Sequence, residues 1–328
     1  MEKTDVEILY EQIDDTTESV QQHRNETYLD SLAVTLGTLL DQQTPEEMEA
    51  PLKKEFQKTM ERLDVTSYET TDVRKAIQLA ILKGMKGATQ EQHLMTPETV
   101  ALFVGYLAGK LTSGLEHIRL FDPTSGTGNL LMAVLDQLDK AASVYASEVD
   151  PTLIRLAMLN ANMQKKEVEF FHQDSLRPFL LDPVDLVISD LPVGYYPDDV
   201  RSEDFELKAD EGHSYSHHLL IEQAMRYTAP GGYLIFVIPE FLFDSDQSDK
   251  LHAYLQEYAH IIGVLQLPET AFKSEKNRKS LLILQKRGPD TSSIKQPLLV
   301  QVPSFKNTKA MDDILTQMNA WFAENMNI

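Results

Sequence analysis

From about residue 91 onward, short apolar runs alternate with amphipathic stretches of helical length, and this alternation constrains the fold more tightly than any other feature of the chain. The pattern predicts strands near 117–122, 143–149, 167–172, 184–189, 232–239, 260–267 and 280–286. Helices are predicted near 97–111, 128–139, 151–163, 216–228 and 247–258. A helix between two strands carries the chain back across a sheet face, so successive strands run parallel and helices cover both faces. The expectation is a doubly wound α/β domain.

Residues 1–90 lack this alternation. Their apolar positions recur at three- and four-residue spacing (Ile8, Leu9, Ile13; Leu29, Leu32, Leu36, Leu39, Leu40), as on one face of a helix. Val73, Ile77, Leu79 and Leu82 predict a further helix that stops near Gly84 and Gly87. The expected organisation is a small helical domain over 1–90, the α/β domain over 91–288 and an extension over 289–328. Gly288–Pro297 reads as the linker into a short strand (Leu298–Val302) and an amphipathic helix carrying Met311, Ile314, Leu315, Met318 and Trp321.

The chain has 30 Lys+Arg against 51 Asp+Glu, a formal charge of −21, and no cysteine. A disulfide framework, a thiolate zinc site and a cysteine nucleophile are thereby excluded. No apolar run reaches the roughly 18–20 residues of a membrane helix, and the first residues lack the basic-then-apolar layout of a signal peptide. The expectation is a soluble, cytoplasmic protein that uses no membrane. The acidity is uneven: residues 1–50 hold 2 basic and 13 acidic side chains, a face read as solvated surface or as a docking face for a partner. A protein that grips duplex nucleic acid unaided shows a basic footprint, so this balance weighs against tight independent duplex binding. The one locally basic stretch, 273–287, carries Lys273, Lys276, Arg278, Lys279, Lys286 and Arg287 and reads best as a solvated loop.

The sharpest motif is Asp122-Pro123-Thr124-Ser125-Gly126-Thr127-Gly128-Asn129-Leu130-Leu131, after the first predicted strand and opening a helix. Doubly wound folds bind nucleotides at that position, and glycines at 126 and 128 let backbone approach a ligand that a Cβ would exclude. Leu131 stands where the dinucleotide fingerprint has its third glycine, and the acidic Asp122 suits an ammonium group better than a pyrophosphate. S-adenosylmethionine, a nucleoside with a sulfonium and an amino-acid tail, is such a ligand. Glu148, followed by Val149, ends the next strand, where a carboxylate can accept both ribose hydroxyls. Asp174, followed by Ser175, ends the third and could accept the adenine amino group. Upstream, Thr96 as N-cap and Pro97 at the first helical position would leave free amides for the cofactor's carboxylate.

The fourth strand runs into Ser189-Asp190-Leu191-Pro192-Val193-Gly194-Tyr195-Tyr196. This segment resembles the strand-four motif of class I S-adenosylmethionine-dependent amino-methyltransferases, Asn/Asp/Ser-Pro-Pro followed by an aromatic. With the Thr96-Pro97 and Asp122–Leu131 segments and the Glu-Val-Asp-Pro strand end, it resembles the modification subunits of type I restriction systems and stand-alone bacterial adenine-specific methylases. The resemblance implies a seven-stranded sheet in the order 3-2-1-4-5-7-6 with the last strand antiparallel. It implies an enzyme that methylates adenine N6 in DNA, alone or with a partner chain that supplies specificity. Asp190 and the Leu191 carbonyl would accept the two hydrogens of the target amine, with Pro192 shaping the loop; Asp190 also borders the cofactor. Leu191 replaces the motif's first proline, and Val193 stands where an aromatic would stack on the target base. Tyr195 or Tyr196 could supply that face, core packing being the alternative for each. RNA base amines and protein glutamine amides stay open as substrates, as does a cofactor-binding protein without turnover. His213, His217 and His218 carry no accompanying carboxylate pattern, so no metal is expected; Ser216 is expected to cap the helix that follows.

Overall fold

The structure, a computed structural model, describes residues 3–44, 46, 48–86, 95–272, 278–326 and 328. Four helices come first: α1 (Asp5–Arg24), α2 (Tyr28–Asp41), α3 (Ala50–Arg62) and α4 (Thr70–Met85). A reciprocal capping box opens α1, in which the Thr4 hydroxyl accepts from the Glu7 amide while the Glu7 carboxylate accepts from the Thr4 amide at 2.8 Å. Asn25 ends α1 in the left-handed conformation that asparagine tolerates. The expected stripe is buried: Leu9, Ile13, Leu32, Leu36 and Ile77 share one core. Leu79 and Leu82 do not join it and are exposed, because the buried face of α4 runs on from Val73 and Ile77 through Ala80 and Ile81. Helix α4 ends at Met85, next to Gly84 as expected, and Gly87 is outside the described residues.

The α/β part follows as α5 (Glu98–Leu111), β1 (His117–Asp122), α6 (Asn129–Leu135), β2 (Ala141–Glu148), α7 (Pro151–Met163), β3 (Glu169–His172) and β4 (Val184–Asp190). Then come α8 (Asp199–Ser202), α9 (Ser216–Tyr227), β5 (Thr228–Pro239), α10 (Ser248–Tyr258), β6 (Ala259–Gln266), β7 (Lys279–Lys286), β8 (Leu298–Gln301) and α11 (Thr308–Met326). Helix α6 is shorter than its pattern suggested: it stops at Asp136, whose carboxylate is held by Arg74 and Lys166, and the chain turns early into β2. Strand β5 starts directly after α9, with the Pro230-Gly231 turn absorbed as a register shift against β4.

Among the described residues the sheet has eight strands in the order 3-2-1-4-5-7-6-8, one more than the resemblance implied. Strand β7 is antiparallel to both neighbours, and β8 adds parallel to β6. Gly263 makes that last pairing possible, since a Cβ there would stand 2.7 Å from the Leu298 carbonyl. Helices α5, α6 and α11 pack on one face and α9 and α10 on the other. The N-terminal helices do not hang free: Leu156 and Met163 of α7 belong to their core, and Thr152 donates to Asp30 at 2.7 Å. Strands β2 and β3 lie on one side of β1 and β4 on the other, so the chain reverses direction across the sheet between the ends of β1 and β4. Ligands bind at such a switch point, in the crevice outside the strands' carboxyl ends. No helix among the described residues is long and apolar enough to cross a membrane.

Candidate active site

A cavity of about 590 Å³ opens at this switch point. One end is bordered by Glu148, Val149, Asp174 and Ser175, the middle by Pro123, Ser125, Gly126, Thr127 and Asn129, and the other end by Thr96, Asp190, Leu191, Pro192 and Val193. Sequence-predicted residues from four strand ends therefore meet in one space.

The loop after β1 is shaped by two glycines at positive φ, Gly126 (54°) and Gly128 (79°). Nothing lies within 4 Å of where a Gly126 Cβ would sit, and that open side faces the cavity. Gly128 does different work: a Cβ there would press on Ala157 of α7 at 3.4 Å, so it sets helix packing and does not border the cavity. Asp122 lies beneath the loop rather than on the cavity wall and is 1% exposed. Its Oδ1 accepts from the Thr124 amide at 3.1 Å, and its Oδ2 is buried with no partner. Burial pushes this carboxyl up to about 8; the Thr124 amide opposes the rise, and the charges of Glu148 and Asp190 add to it.

Glu148 is braced by backbone. Its Oε2 accepts from Gly126 N at 3.0 Å, and its Oε1 accepts from the amides of Val149 and Asp150 at 2.8 and 2.9 Å. A carboxylate offers about four lone-pair positions, so this one stays fixed with capacity to spare. Asp174 accepts from the Leu176 amide at 2.9 Å and from the Tyr196 hydroxyl at 2.5 Å. Tyr196 borders the cavity but is only 7% exposed, and its hydroxyl ties the loop after β4 to Asp174. Burial, with the Asp174 carboxylate adding, holds its phenol above the ordinary range. Tyr195 does not border the cavity and stacks on Tyr215 with centroids 4.9 Å apart.

Thr96 and Pro97 depart from their expected roles. Helix α5 begins at Glu98, Pro97 is its N-cap and does not border the cavity, and no side chain caps it. The Thr96 hydroxyl instead donates to Asp190 Oδ2 at 2.7 Å, while its carbonyl accepts from Asn129 Nδ2 at 2.8 Å. Its partner's other oxygen, Asp190 Oδ1, receives the Lys279 ammonium. Leu191 is 1% exposed with its amide on the Val237 carbonyl at 3.1 Å, so a buried packing residue holds this turn where the motif has its first proline.

Among the wall residues that the sequence does not single out for this site, three bear on its chemistry and its frame. Lys279 reaches Asp190 from the first position of β7, 89 residues away, and no spacing rule links the two. Phe241, in the turn after β5, is 45% exposed and borders the cavity, whereas Val193 is aliphatic. Met85, at the end of α4, brings the N-terminal helices to the wall. The basic stretch 273–287 also differs from a solvated loop over its described part: Arg278 pairs with Glu269 at 2.6 Å and Lys286 donates to the Thr228 carbonyl at 2.7 Å. Its residues 273–277, like His93 and Leu94 before Thr96, lie outside the described residues.

His217 and His218 are fully buried in an aromatic cluster with Tyr215, and among the described residues neither ring nitrogen of His217 has a partner. Burial lowers His217 to about 3, with His218 adding, and lowers His218 to about 4. Ser216 is the first residue of α9 rather than its cap. Among the described residues no three His, Asp or Glu side chains are grouped to hold a metal ion.

Residues 7–85 match the profile of the YtxK N-terminal helical domain, and residues 85–322 match that of N-6 DNA Methylase. The chain belongs to the N-6 DNA methylase family. By family and fold this methylase is an S-adenosylmethionine-dependent methyltransferase. The protein YtxK of Bacillus subtilis (strain 168) is 45% identical over 326 residues, covering 98% of this chain and 99% of YtxK. A solved structure from Listeria monocytogenes, named as a candidate class I S-adenosylmethionine-dependent methyltransferase, is 38% identical with a TM-score of 0.92 and covers 97% of this chain and 99% of its own. The type I restriction-modification methyltransferase subunit of Streptococcus thermophilus shares the fold at 15% identity, with a TM-score of 0.64 over 93% of this chain and 73% of that one. The residues of this methylase fit the cofactor. Glu148 and Asp174 line one cavity with the glycine loop and Asp190, which sets acceptors for hydroxyls and an amino group along a nucleoside-sized space.

Proposed function

We propose that the protein methylates the N6 amine of adenine in DNA. The observation that carries this reading is one shared cavity, whose walls include the glycine loop, Glu148 and Asp174 as well as the Asp190-Leu191-Pro192 turn. When bound, S-adenosylmethionine supplies an electrophilic methyl group on a sulfonium. Glu148 would take the ribose hydroxyls and Asp174 the adenine amine of the cofactor, with the amino-acid tail toward Thr96, Asn129 and the loop above Asp122.

An amine conjugated to a purine ring is a poor nucleophile. Asp190 and the Leu191 carbonyl would accept its two hydrogens and turn its lone pair toward the methyl group, so that positioning and electrostatics lower the barrier. The nitrogen gains a bond to carbon and must shed a proton; Asp190, already holding one of its hydrogens, is the group on this chain that receives it. Phe241 and Val193 would hold the target base between them. The cavity takes a base swung out of its stack, and the −21 charge supports delivery of that DNA by a second, specificity-giving chain in the cytoplasm.

The same charge favours a second reading, in which a single-stranded RNA base or a protein glutamine amide is methylated. Incubation of the purified protein with labelled cofactor and DNA, RNA or cell-extract protein separates the two by which fraction takes up label. Label in DNA, lost in Asp190→Ala, is the expected result. No uptake by any fraction, with cofactor binding intact by calorimetry, would leave a cofactor-binding protein without turnover.

A further inference from the structure

The Asp190 turn presents more than acceptors. Lys279 carries three N–H donors, of which one meets Asp190 Oδ1. Both side chains are largely enclosed, with 16% of the lysine and 13% of the aspartate exposed, and both border the cavity. Strand register explains why the lysine is there: Lys279 pairs with Pro239 at the end of β5, and Asp190 pairs with Val237 two residues earlier on the same strand. Phe241 follows Pro239 by two residues and borders the same cavity.

Placing a cation where a sulfonium must come is unfavourable unless a carboxylate offsets it, and Asp190 does. A simpler way to hold a target amine would be a neutral acceptor, which needs no lysine. The pair therefore adds something a lone acceptor lacks: a charged donor beside the acceptor, with spare N–H groups at the cavity wall.

We propose that Lys279 is a specificity-determining residue that donates a hydrogen bond to the ring nitrogen flanking the target amine, so that the site accepts an amine only when an acceptor stands beside it. This rests on the reading of the site as an adenine-N6 methyltransferase and names a contact that would hold that base by the nitrogen beside its amine. Adenine meets the requirement on both sides, since N1 and N7 flank the N6 amine and both are acceptors. Guanine N2 meets it on one side only, through N3, since the N1–H donor on the other side would oppose Lys279; cytosine N4 likewise has a single flanking acceptor, N3. A lysine side-chain amine has no neighbouring acceptor at all. A site built around a hydrogen bond discriminates strongly against analogues that lack the partner, because its own buried donor is then left unpaired.

The test compares transfer of labelled methyl groups to three single-stranded oligonucleotides whose only amino base is adenine, 1-deazaadenine or 7-deazaadenine. The full-length protein and Lys279→Met are used, with kcat/KM as the readout. Wild type should favour adenine over one of the two deaza bases by at least tenfold. Lys279→Met should lose a comparable factor on adenine and no longer distinguish that deaza base from it. Equal use of all three bases by wild type overturns the inference and needs no variant, so poor folding of Lys279→Met would not shelter it. A preference that persists in a folded Lys279→Met also overturns it, while leaving the methyltransferase reading intact. Absence of transfer to any adenine-bearing strand, DNA or RNA, sinks the substrate reading and this inference together.

Discussion

Replacing Asp122 with asparagine should remove one slope from the curve of stability against pH. Asp122 is 1% exposed, one of its oxygens has no partner, and burial pushes its carboxyl from 3.8 to about 8. The folded state keeps this proton until about pH 8, whereas the unfolded chain releases it near pH 4. Between those values the folded protein holds about one proton more, so stability falls as pH rises, by about 1.4 kcal/mol per pH unit. Below the unfolded value the term vanishes, and above about pH 8 it stays at its full cost. The amide of the Asp122→Asn variant would keep an oxygen for the Thr124 N–H but cannot ionise. The stability of Asp122→Asn relative to wild type should thus grow by about 4 kcal/mol from pH 5 to pH 8. Urea unfolding of both proteins without cofactor at pH 5, 6, 7 and 8 measures it, and taking the difference cancels every other titrating group. A difference that stays level across those four pH values refutes the argument, because an exposed or already ionised carboxylate would give that result.

His217 and His218 titrate with the opposite sign: burial holds both neutral down to about pH 3 and 4, so the unfolded chain takes up their protons first. The free energy of urea unfolding should therefore drop as pH falls from 6.5 toward 4, by about 3 kcal/mol per pH unit for the pair before Asp122 offsets part, and His217→Phe should roughly halve that term. Arg74→Met leaves Glu98 and Asp136 facing each other without the guanidinium that donates to them at 2.7 and 3.0 Å, and should cost about 3 kcal/mol in denaturant unfolding. Tyr196→Phe removes the hydroxyl from Asp174 and should cost about 2 kcal/mol; unchanged stability would mean that the loop after β4 is held by its backbone bonds alone.

The parts legible in the sequence were those that local chemistry writes within one element. Strand–helix alternation located β1 to β7, because burial on both faces of a parallel sheet demands apolar runs of that length. The glycine loop was legible because positive φ at 126 and 128 restricts the residue type. What escaped was set by tertiary contact. Thr96 reads as an N-cap by type, yet Asp190 competes for its hydroxyl and wins it from the helix. Tyr196 reads as either a stacking or a packing aromatic, and the tie of its phenol to Asp174 is written in neither. Lys279 sits in a run of like charges whose usual fate is solvation, and only the register of β7 against β5 brings it to the end of β4. Strand β8 was visible as a strand, but its place beside β6 depended on a close approach at Gly263 that no periodicity encodes.

The charge of −21 can now be divided by what the acids touch rather than by where they fall in the chain. Asp14, within the acidic first fifty residues, is not solvated surface: it accepts from Lys83 at 2.7 Å and from Tyr28 at 2.6 Å, locking α1 to α4 and α2. Asp136 and Glu98 share Arg74, which fastens α4 to α6 and to the start of α5. Each of these acids spans elements, so the N-terminal helices are joined to the α/β part by ion pairs as well as by the core they share with α7. The consequence reaches the site. Thr96 stands two residues before Glu98 and holds Asp190, and Met85 closes one wall of the cavity from the end of α4. A displacement of α4 would therefore pull on the residue that orients the Asp190 carboxylate. The helical segment is better understood as part of the frame of the cavity than as a separate module attached to it.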